Sequence, residues 1–110
     1  MISPATTLFM SLNIPQDCYN YLIDHVYYVY LLKSLKKERV YVGYSGDLRV
    51  RVEAHNLGKV RSTKYYRPWR LVYYESYLNQ HDATKREKQL KLHAAKEVLL
   101  KQIATSLDGG

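Results

Sequence analysis

Three short apolar stretches stand out along the second part of the chain. Residues 26–32 (VYYVYLL), 39–44 (RVYVGY) and 69–77 (WRLVYYESY) are rich in β-branched and aromatic residues. Such residues favour the pleated, half-buried surface of a sheet. We therefore predict three strands, the first two joined by the short polar turn SLKKE.

Between the second and third strands the pattern changes to that of a helix. The stretch SGDLRVRVEAHNLG covers residues 45–58. Ser45 or Asp47 can cap its first turn, because a short oxygen-bearing side chain accepts from a free backbone N–H there. Gly58 can supply the left-handed residue that often follows a helix.

A long helical pattern follows the third strand, from about Ala83 to Ser106, with Asp82 as a candidate cap. One face of this helix is marked by apolar residues at spacings of seven, four and four: Ala83, Leu90, Ala94 and Val98.

The order strand, strand, helix, strand, helix predicts an α/β (α+β) domain. We expect a small three-stranded, mainly antiparallel sheet flanked by helices. Residues 26–106 would form this domain. Residues 1–25 are expected to be a loosely ordered extension with a short helical turn near residues 17–24, and residues 107–110 a frayed tail.

Charge is distributed unevenly. The chain has a net charge of +7, yet its first 26 residues contain no Lys or Arg, so all 17 basic residues follow. A basic domain of this size most often meets nucleic acid or an anionic membrane surface. No apolar run approaches the ~20 residues of a membrane span, and the start lacks the basic region of a signal peptide. With one cysteine, a reducing cytoplasmic location is expected.

Tyrosine is unusually common, with twelve copies, and Tyr30 and Tyr41 lie on the two strands of the predicted hairpin. Side chains alternate along a strand, so Tyr28 and Tyr30 share one face, as do Tyr41 and Gly43. A turn centred at residues 35–36 would place Tyr30 opposite Tyr41 and Tyr28 opposite Gly43, ~5 Å apart. The two phenols could be packing residues or the floor of a small site.

Two basic side chains lie on one side of the first predicted helix. Arg51 and His55 follow Asp47 at intervals of four, bordering the apolar pair Leu48 and Val52. The residues alone leave two interpretations open: an exposed ion pair of Arg51 with Asp47, or an Arg partly buried at a site.

Glu87 lies in the middle of the apolar face of the last predicted helix. A carboxylate does not enter a core unpaired, because desolvation costs several kcal/mol. Its partner could be Arg51, a neighbouring lysine, or a divalent metal ion, which prefers oxygen ligands.

The loop before the third strand mixes cations and aromatics, a composition suited to phosphates and bases. A solvated basic surface is the alternative interpretation. The predicted nucleic-acid contacts are Lys59, Arg61, Lys64, Arg67 and Arg70, interleaved with Tyr65, Tyr66 and Trp69, and extended by Lys33 in the hairpin.

Taken in order, these segments resemble the GIY-YIG nuclease domain. The resemblance rests on Tyr28-Val29-Tyr30, Tyr41-Val42-Gly43, GDLRVRVEAHN, RPWRLVYYE and ATKREKQLK, and covers roughly residues 26–95. It is strongest to small stand-alone members that are similar to the N-terminal domain of the excision-repair nuclease subunit.

The resemblance implies metal-dependent endonuclease hydrolysis of DNA phosphodiester bonds, in repair or processing, with branched or damaged DNA as substrate. It aligns Arg51 and His55 with catalytic positions and Glu87 with the ligand of a single Mg²⁺ or Mn²⁺. Tyr41 or Tyr30 would activate or orient the attacking water. Gly43 would leave room for the phosphate to approach.

The chain departs from the family pattern at two places. Tyr28 replaces the first glycine of the leading motif, and no asparagine follows Asn79, where many members carry one late in the last helical region. A nucleic-acid-binding module without cleavage is therefore the main alternative, and a basic RNA-associated protein a weaker one. We expect no membrane partner and a monomer or weak dimer.

Overall fold

The computed structural model describes residues 25–109. It contains the strands β1 (Tyr27–Ser34), β2 (Val40–Ser45) and β3 (Trp69–Tyr77), the helices α1 (Leu48–Asn56), α2 (Gln80–Leu90), α3 (His93–Gln102) and α4 (Ala104–Leu107), and a 3₁₀ turn at Lys64–Tyr66. The predicted α+β class and element order are confirmed, although the last predicted helix is three helices. The predicted extension, with its helical turn near residues 17–24, lies outside the described residues except for His25.

The three strands form one antiparallel sheet in the order β2-β1-β3. Tyr30 in the central strand pairs with Gly43 on one side and with Tyr74 on the other. The predicted register, with Tyr30 opposite Tyr41, is wrong by two residues.

The hairpin turn explains this difference in register. The Ser34 hydroxyl accepts the backbone N–H groups of Lys36 (3.1 Å) and Lys37 (3.0 Å). The Ser34 N–H in turn donates to the Arg39 carbonyl (2.9 Å). The turn is therefore centred one residue later than predicted, and a shift of one residue in the turn changes the pairing by two.

Both faces of β1 are buried, which explains why the sequence of this strand is a continuous apolar run. Val29 and Leu31 pack on one face against residues of α2 and α3, including Ala83 and Leu90. On the other face Tyr30 and Leu32 pack with Trp69, beneath Leu48 and Val52 of α1 and Tyr66 of the 3₁₀ turn. The site described below lies beneath α1.

Helix α1 begins and ends at the predicted residues. Asp47 is the N-cap, and its carboxylate accepts the Val50 N–H (3.1 Å). Gly58 has a φ of +76°, the left-handed conformation expected after a helix. Two other apolar residues here, Val50 and Leu57, face solvent and are 60% and 64% exposed.

The C-terminal helical region is interrupted, contrary to the continuous helix predicted. Leu92 adopts an extended conformation (φ −77°, ψ 136°) between α2 and α3. Because the chain changes direction there, Leu99 faces the core while Val98 is 59% exposed. Asn79, rather than Asp82, caps α2 by accepting the His81 N–H (2.8 Å).

Side-chain hydrogen bonds from two cations reach the end of α4, where the predicted tail (residues 107–110) begins. Lys33 Nζ donates to the Leu107 carbonyl (3.1 Å), and Arg70 donates to the carbonyls of Ser106 (3.0 Å) and Leu107 (2.9 Å). The Gly109 N–H also donates to Ser106 (3.3 Å). Two cations thus satisfy the free carbonyls at the end of α4.

Candidate active site

A buried phenol from the central strand lies at the centre of the candidate site. Tyr30 has no exposed surface. Its hydroxyl lies 2.8 Å from His55 Nε2 of α1. The Arg51 guanidinium, one turn earlier on the same helix, is near enough to act on the pKa of Tyr30, which it lowers. The spacing of four residues between Arg51 and His55 therefore places both side chains beside one phenol.

Gly43 leaves room for this phenol. The Tyr30 ring lies directly over Gly43, so a Cβ at that position would come within 2.7 Å of the ring atom Cε2. The space that the missing side chain creates is occupied by the Tyr30 ring. Gly43 therefore supports the site by allowing the ring to lie flat on β2.

The second predicted phenol is a diagonal neighbour of the first. The Tyr41 ring centre lies 6.4 Å from that of Tyr30, 5.0 Å from His55 and 6.2 Å from Trp69. Tyr41 is only half-buried. Of the two phenols, Tyr41 is thus the one that solvent reaches.

His55 is enclosed between two hydroxyl groups. It has no exposed surface, and its Nδ1 lies 2.7 Å from the hydroxyl of Thr63, a buried residue of the following loop. Burial, aided by the positive charge of Arg51, lowers the pKa of His55 to about 4. The imidazole is therefore neutral at neutral pH.

The phenol at the centre is also neutral. Burial raises the pKa of Tyr30 to about 12, and the neighbouring Tyr41 and Glu87 side chains act in the same direction. Arg51 acts against this rise but does not overcome it. A phenol with this pKa does not serve as a general base near pH 7.

Glu87 approaches this group from a different helix. It is carried by α2, which packs on the Val29 and Leu31 face of the sheet and contacts edge strand β2. Its negative charge is nevertheless close enough to raise the pKa of Tyr30. Its cationic partner in the structure is Lys91, at 3.4 Å, with 20% of the Glu87 side chain exposed.

The side chains around Glu87 limit the kind of metal ion that could bind there. Across residues 25–109, no three or more His, Cys, Asp or Glu side chains are grouped as a metal cage would require. A single accessible carboxylate is the arrangement by which Mg²⁺ is often held, with waters and substrate phosphates completing its shell. The residues present therefore fit a hard divalent ion that takes one ligand from Glu87 and the others from water and substrate phosphate.

Helix α2 is anchored to the sheet by a charged network next to Glu87. Arg86 donates to the Glu75 carboxylate at 2.9, 3.2 and 3.0 Å. The hydroxyls of Tyr73 (2.6 Å) and Tyr77 donate to the same carboxylate. These bonds hold the pKa of Glu75 below its usual value, although burial acts in the opposite direction.

The predicted nucleic-acid contacts fall into two groups. Lys33 and Arg70 direct their donors to the carbonyls at the end of α4. The other four are exposed on the loop between α1 and β3, where the Arg67 guanidinium lies over Gly58. These four are Lys59, Arg61, Lys64 and Arg67.

Aromatic rings connect this basic loop to the site. Tyr66 contacts Trp69 with a ring separation of 6.3 Å, and Trp69 contacts Tyr41. From the hairpin, Lys36 lies 3.9 Å above the ring of Tyr65, which is 61% exposed, and Arg39 lies 4.3 Å above Tyr66. The positive surface and the phenols therefore belong to one continuous region.

Some residues of this region were not singled out by sequence reasoning. In the sequence, nothing distinguishes Thr63 from the rest of the basic loop, although in the structure it contacts His55. The Asn56 side chain accepts the Trp69 N–H (2.6 Å) and donates to the Trp69 carbonyl (3.0 Å), which joins α1 to β3. Neither contact produces a periodic pattern in the sequence, because each joins a helix to a loop or to the end of a strand.

Comparison with known proteins shows the family to which this chain belongs. The family model of the GIY-YIG catalytic domain matches residues 26–99, which is more than half of the chain. The chain belongs to the GIY-YIG family, a family of nucleases, and the resemblance inferred from the motifs is thereby confirmed. A nuclease domain implies a nucleic-acid substrate.

Relatives with similar sequences are known from bacteria. UPF0213 proteins of Staphylococcus aureus strains Mu3 and Mu50 are each 38% identical over 74 residues, covering 66% of this chain and 89% of theirs. A solution structure of a UPF0213 protein from Bacillus halodurans is 29% identical, with a TM-score of 0.46, and covers 70% of this chain and 84% of that one.

Within residues 25–109, none of the helices has the length and apolar character needed to cross a membrane.

Proposed function

We propose that this protein is a metal-dependent endonuclease that hydrolyses phosphodiester bonds of DNA in the cytoplasm, in repair or processing of branched or damaged DNA. The observation that carries this proposal is the convergence on the Tyr30 hydroxyl. His55 hydrogen-bonds to it, and Arg51 of α1 and Glu87 of α2 both act on its pKa.

Arg51 is the residue we assign to the phosphate. A guanidinium has several N–H donors in a planar fork that suits phosphate oxygens, and it remains charged at all relevant pH values. From within the fold, the Tyr30 hydroxyl lies close enough to Arg51 for the guanidinium to lower its pKa. The donors of the half-buried Arg51 can then stabilise charge that develops on the phosphate.

The two phenols have different roles in this proposal. Tyr30, buried and with a pKa near 12, holds Arg51 and stays neutral. Tyr41, half-buried beside His55, offers its hydroxyl to the water that attacks the phosphate. Both act by positioning in this proposal, since a phenol is a poor base at neutral pH.

Glu87 is the residue that would hold Mg²⁺ or Mn²⁺. Such an ion supplies positive charge against the phosphate and lowers the pKa of a bound water. The Glu87 carboxylate is partly exposed, and the lysine that now contacts it, Lys91, is itself 54% exposed. Lys91 is therefore free to move away when a divalent ion binds.

The exposed basic loop would bind the DNA backbone. Cations there can neutralise phosphates, and Tyr65 offers an exposed ring. One such site per monomer would nick one strand, so a double-strand break would need two molecules or two events.

Incubation of the purified full chain with labelled duplex and branched DNA, with and without Mn²⁺, tests the proposal. We expect nicking that needs the metal and is lost in Glu87→Ala and Arg51→Ala. Glu97→Ala removes an exposed carboxylate from α3 and should leave nicking unchanged. Tight binding without nicking by the wild-type protein would overturn the proposal in favour of a binding module.

A further inference from the structure

The buried hydrogen-bond chain behind Tyr30 has a defined direction, and its origin is Thr63. The Thr63 hydroxyl donates to the Val60 carbonyl (3.3 Å). A threonine hydroxyl has a single proton, so while it donates to Val60 it can only accept from His55 Nδ1, which lies 2.7 Å away. In this arrangement His55 carries its proton on Nδ1.

This tautomer fixes the next two bonds. With its proton on Nδ1, the neutral imidazole has an acceptor at Nε2. The Tyr30 hydroxyl, 2.8 Å away, then donates its proton to His55. Its oxygen lone pairs are then free to accept from the nearby Arg51 guanidinium, which acts to lower the pKa of Tyr30.

The opposite tautomer would leave a buried proton without an acceptor. A proton on Nε2 would donate to the Tyr30 oxygen, and the phenol O–H would have to turn elsewhere. Arg51 has donors but no acceptor, so it cannot receive that proton. Because Tyr30 has no exposed surface, its unpaired O–H would cost free energy and displace the ring from its position between His55 and Arg51.

Thr63 itself is held rigidly. It is 1% exposed, and its carbonyl accepts from the Trp69 indole N–H (2.9 Å) and from the Tyr66 N–H (3.1 Å). These bonds fix the backbone from which the hydroxyl projects toward α1. The loop thus presents one oxygen to His55 in one orientation.

We infer that Thr63 is a positioning residue: by accepting the Nδ1 proton of His55, it makes Tyr30 a donor to His55 and an acceptor for Arg51. Thr63 does not touch the substrate in this arrangement. Its kinetic consequence rests on the proposed nuclease function, whereas the tautomer that it selects does not.

The first test is the tautomer of His55 in the full chain, read from long-range ¹H–¹⁵N correlations of the ¹⁵N-labelled protein. We expect a protonated Nδ1 and an unprotonated Nε2 in the wild type and in Thr63→Ser, which keeps the hydroxyl. Thr63→Val, which has nearly the same shape without the hydroxyl, should lose this preference. A wild-type His55 protonated on Nε2 overturns the inference without any variant.

The second test is kinetic. Thr63→Val should lower kcat on the order of 10–100-fold, as the loss of an outer partner of a site residue commonly does, with little change in KM, and Thr63→Ser should restore the rate. Ser62→Ala removes an exposed hydroxyl from the same loop and should change neither quantity. A Thr63→Val protein with wild-type kcat and wild-type tautomer contradicts the inference.

The two tests separate the inference from the proposed function. If the wild-type chain does not cut DNA but its His55 carries the Nδ1 proton only when residue 63 has a hydroxyl, the positioning role stands and the nuclease proposal fails. If the chain cuts DNA and the tautomer is independent of residue 63, the reverse holds.

Discussion

The ring of Tyr30 lies over Gly43, its partner across the β1–β2 ladder, in the space where any other residue would place a Cβ. The same ring is buried on all sides, and its hydroxyl contacts His55. The glycine and the buried phenol therefore form one unit, and the position of the hydroxyl depends on the absence of a side chain at residue 43.

Replacing Gly43 by Ala should displace the Tyr30 ring. Because the ring is enclosed and cannot swing away, we expect a loss of about 1–3 kcal/mol in the free energy of unfolding, as for other overpacked sites, together with reduced nicking. Urea denaturation provides the measurement. Gly46→Ala is the control, since a Cβ there meets nothing within 4 Å. Equal stability of the two variants would show that the ring is not confined.

The buried histidine predicts a specific sensitivity to acid. The pKa of His55 is about 4 in the folded protein and ~6.5 when unfolded, so between these values only the unfolded chain takes up the proton. Stability from the neutral imidazole is complete above pH ~6.5 and is lost as the pH falls toward 4, by up to about 3 kcal/mol.

Urea denaturation of the wild type and of His55→Gln at several pH values between 7 and ~4 measures this contribution. The two stabilities should converge as the pH falls, because the variant lacks the titrating group. His81→Gln, at an exposed position, should run parallel to the wild type. Parallel curves for His55→Gln would contradict a buried neutral imidazole.

The Arg86–Glu75 pair should contribute far more to stability than a surface pair. Its side chains are 28% and 15% exposed, and the carboxylate also receives two tyrosine hydroxyls. Arg86→Ala would leave this carboxylate without its cation, which we expect to cost about 2 kcal/mol or more. Because Glu87 is the next residue on α2, nicking should also fall.

Arg49→Ala is the matched comparison, since it breaks the Arg49–Glu53 pair, whose side chains are 90% and 60% exposed. That change should cost less than about 0.5 kcal/mol. Thermal or urea unfolding of the two variants decides the question, and similar losses in both would argue against an anchoring role for Arg86.

The two groups of basic residues should differ in their effect on DNA binding. Each phosphate contact contributes ~0.9 to the slope of log K against log salt concentration for duplex DNA. We expect Arg61→Ala combined with Lys64→Ala to reduce this slope by about 2.

Lys33→Ala combined with Arg70→Ala removes the same charge, yet these side chains donate to the end of α4. That pair of changes should leave the slope nearly unchanged and reduce the stability of the C-terminal helix instead. Fluorescence anisotropy at several salt concentrations measures both slopes. Equal reductions would assign all four cations to the DNA surface.

Local signals in the sequence predict some features of this structure well. Aromatic and β-branched composition predicts the three strands, and Asp47 and Gly58 mark the ends of α1 because capping depends on neighbouring residues alone. The spacing of Arg51 and His55 places them on one side of a helix. The resemblance to the family adds Tyr30 and Glu87 as members of the same site.

Other features depend on contacts that no local pattern encodes. The hairpin register follows from the two hydrogen bonds of one Ser34 hydroxyl. The break at Leu92 interrupts an apolar spacing that continues unchanged through it in the sequence. Thr63 contacts His55 from a loop whose backbone is held by a hydrogen bond from the Trp69 indole to the Thr63 carbonyl.

The central claim, that Glu87 completes a hydrolytic site with Arg51 and Tyr30, is tested most directly by one variant. Glu87→Gln keeps the size of the side chain and removes its charge, and Glu97→Gln does the same at an exposed position of α3. We predict that Glu87→Gln binds DNA as the wild type does but cleaves it in Mn²⁺ at a single-turnover rate lower by on the order of a hundredfold or more, while Glu97→Gln cleaves normally. Cleavage by Glu87→Gln at the wild-type rate would contradict the account.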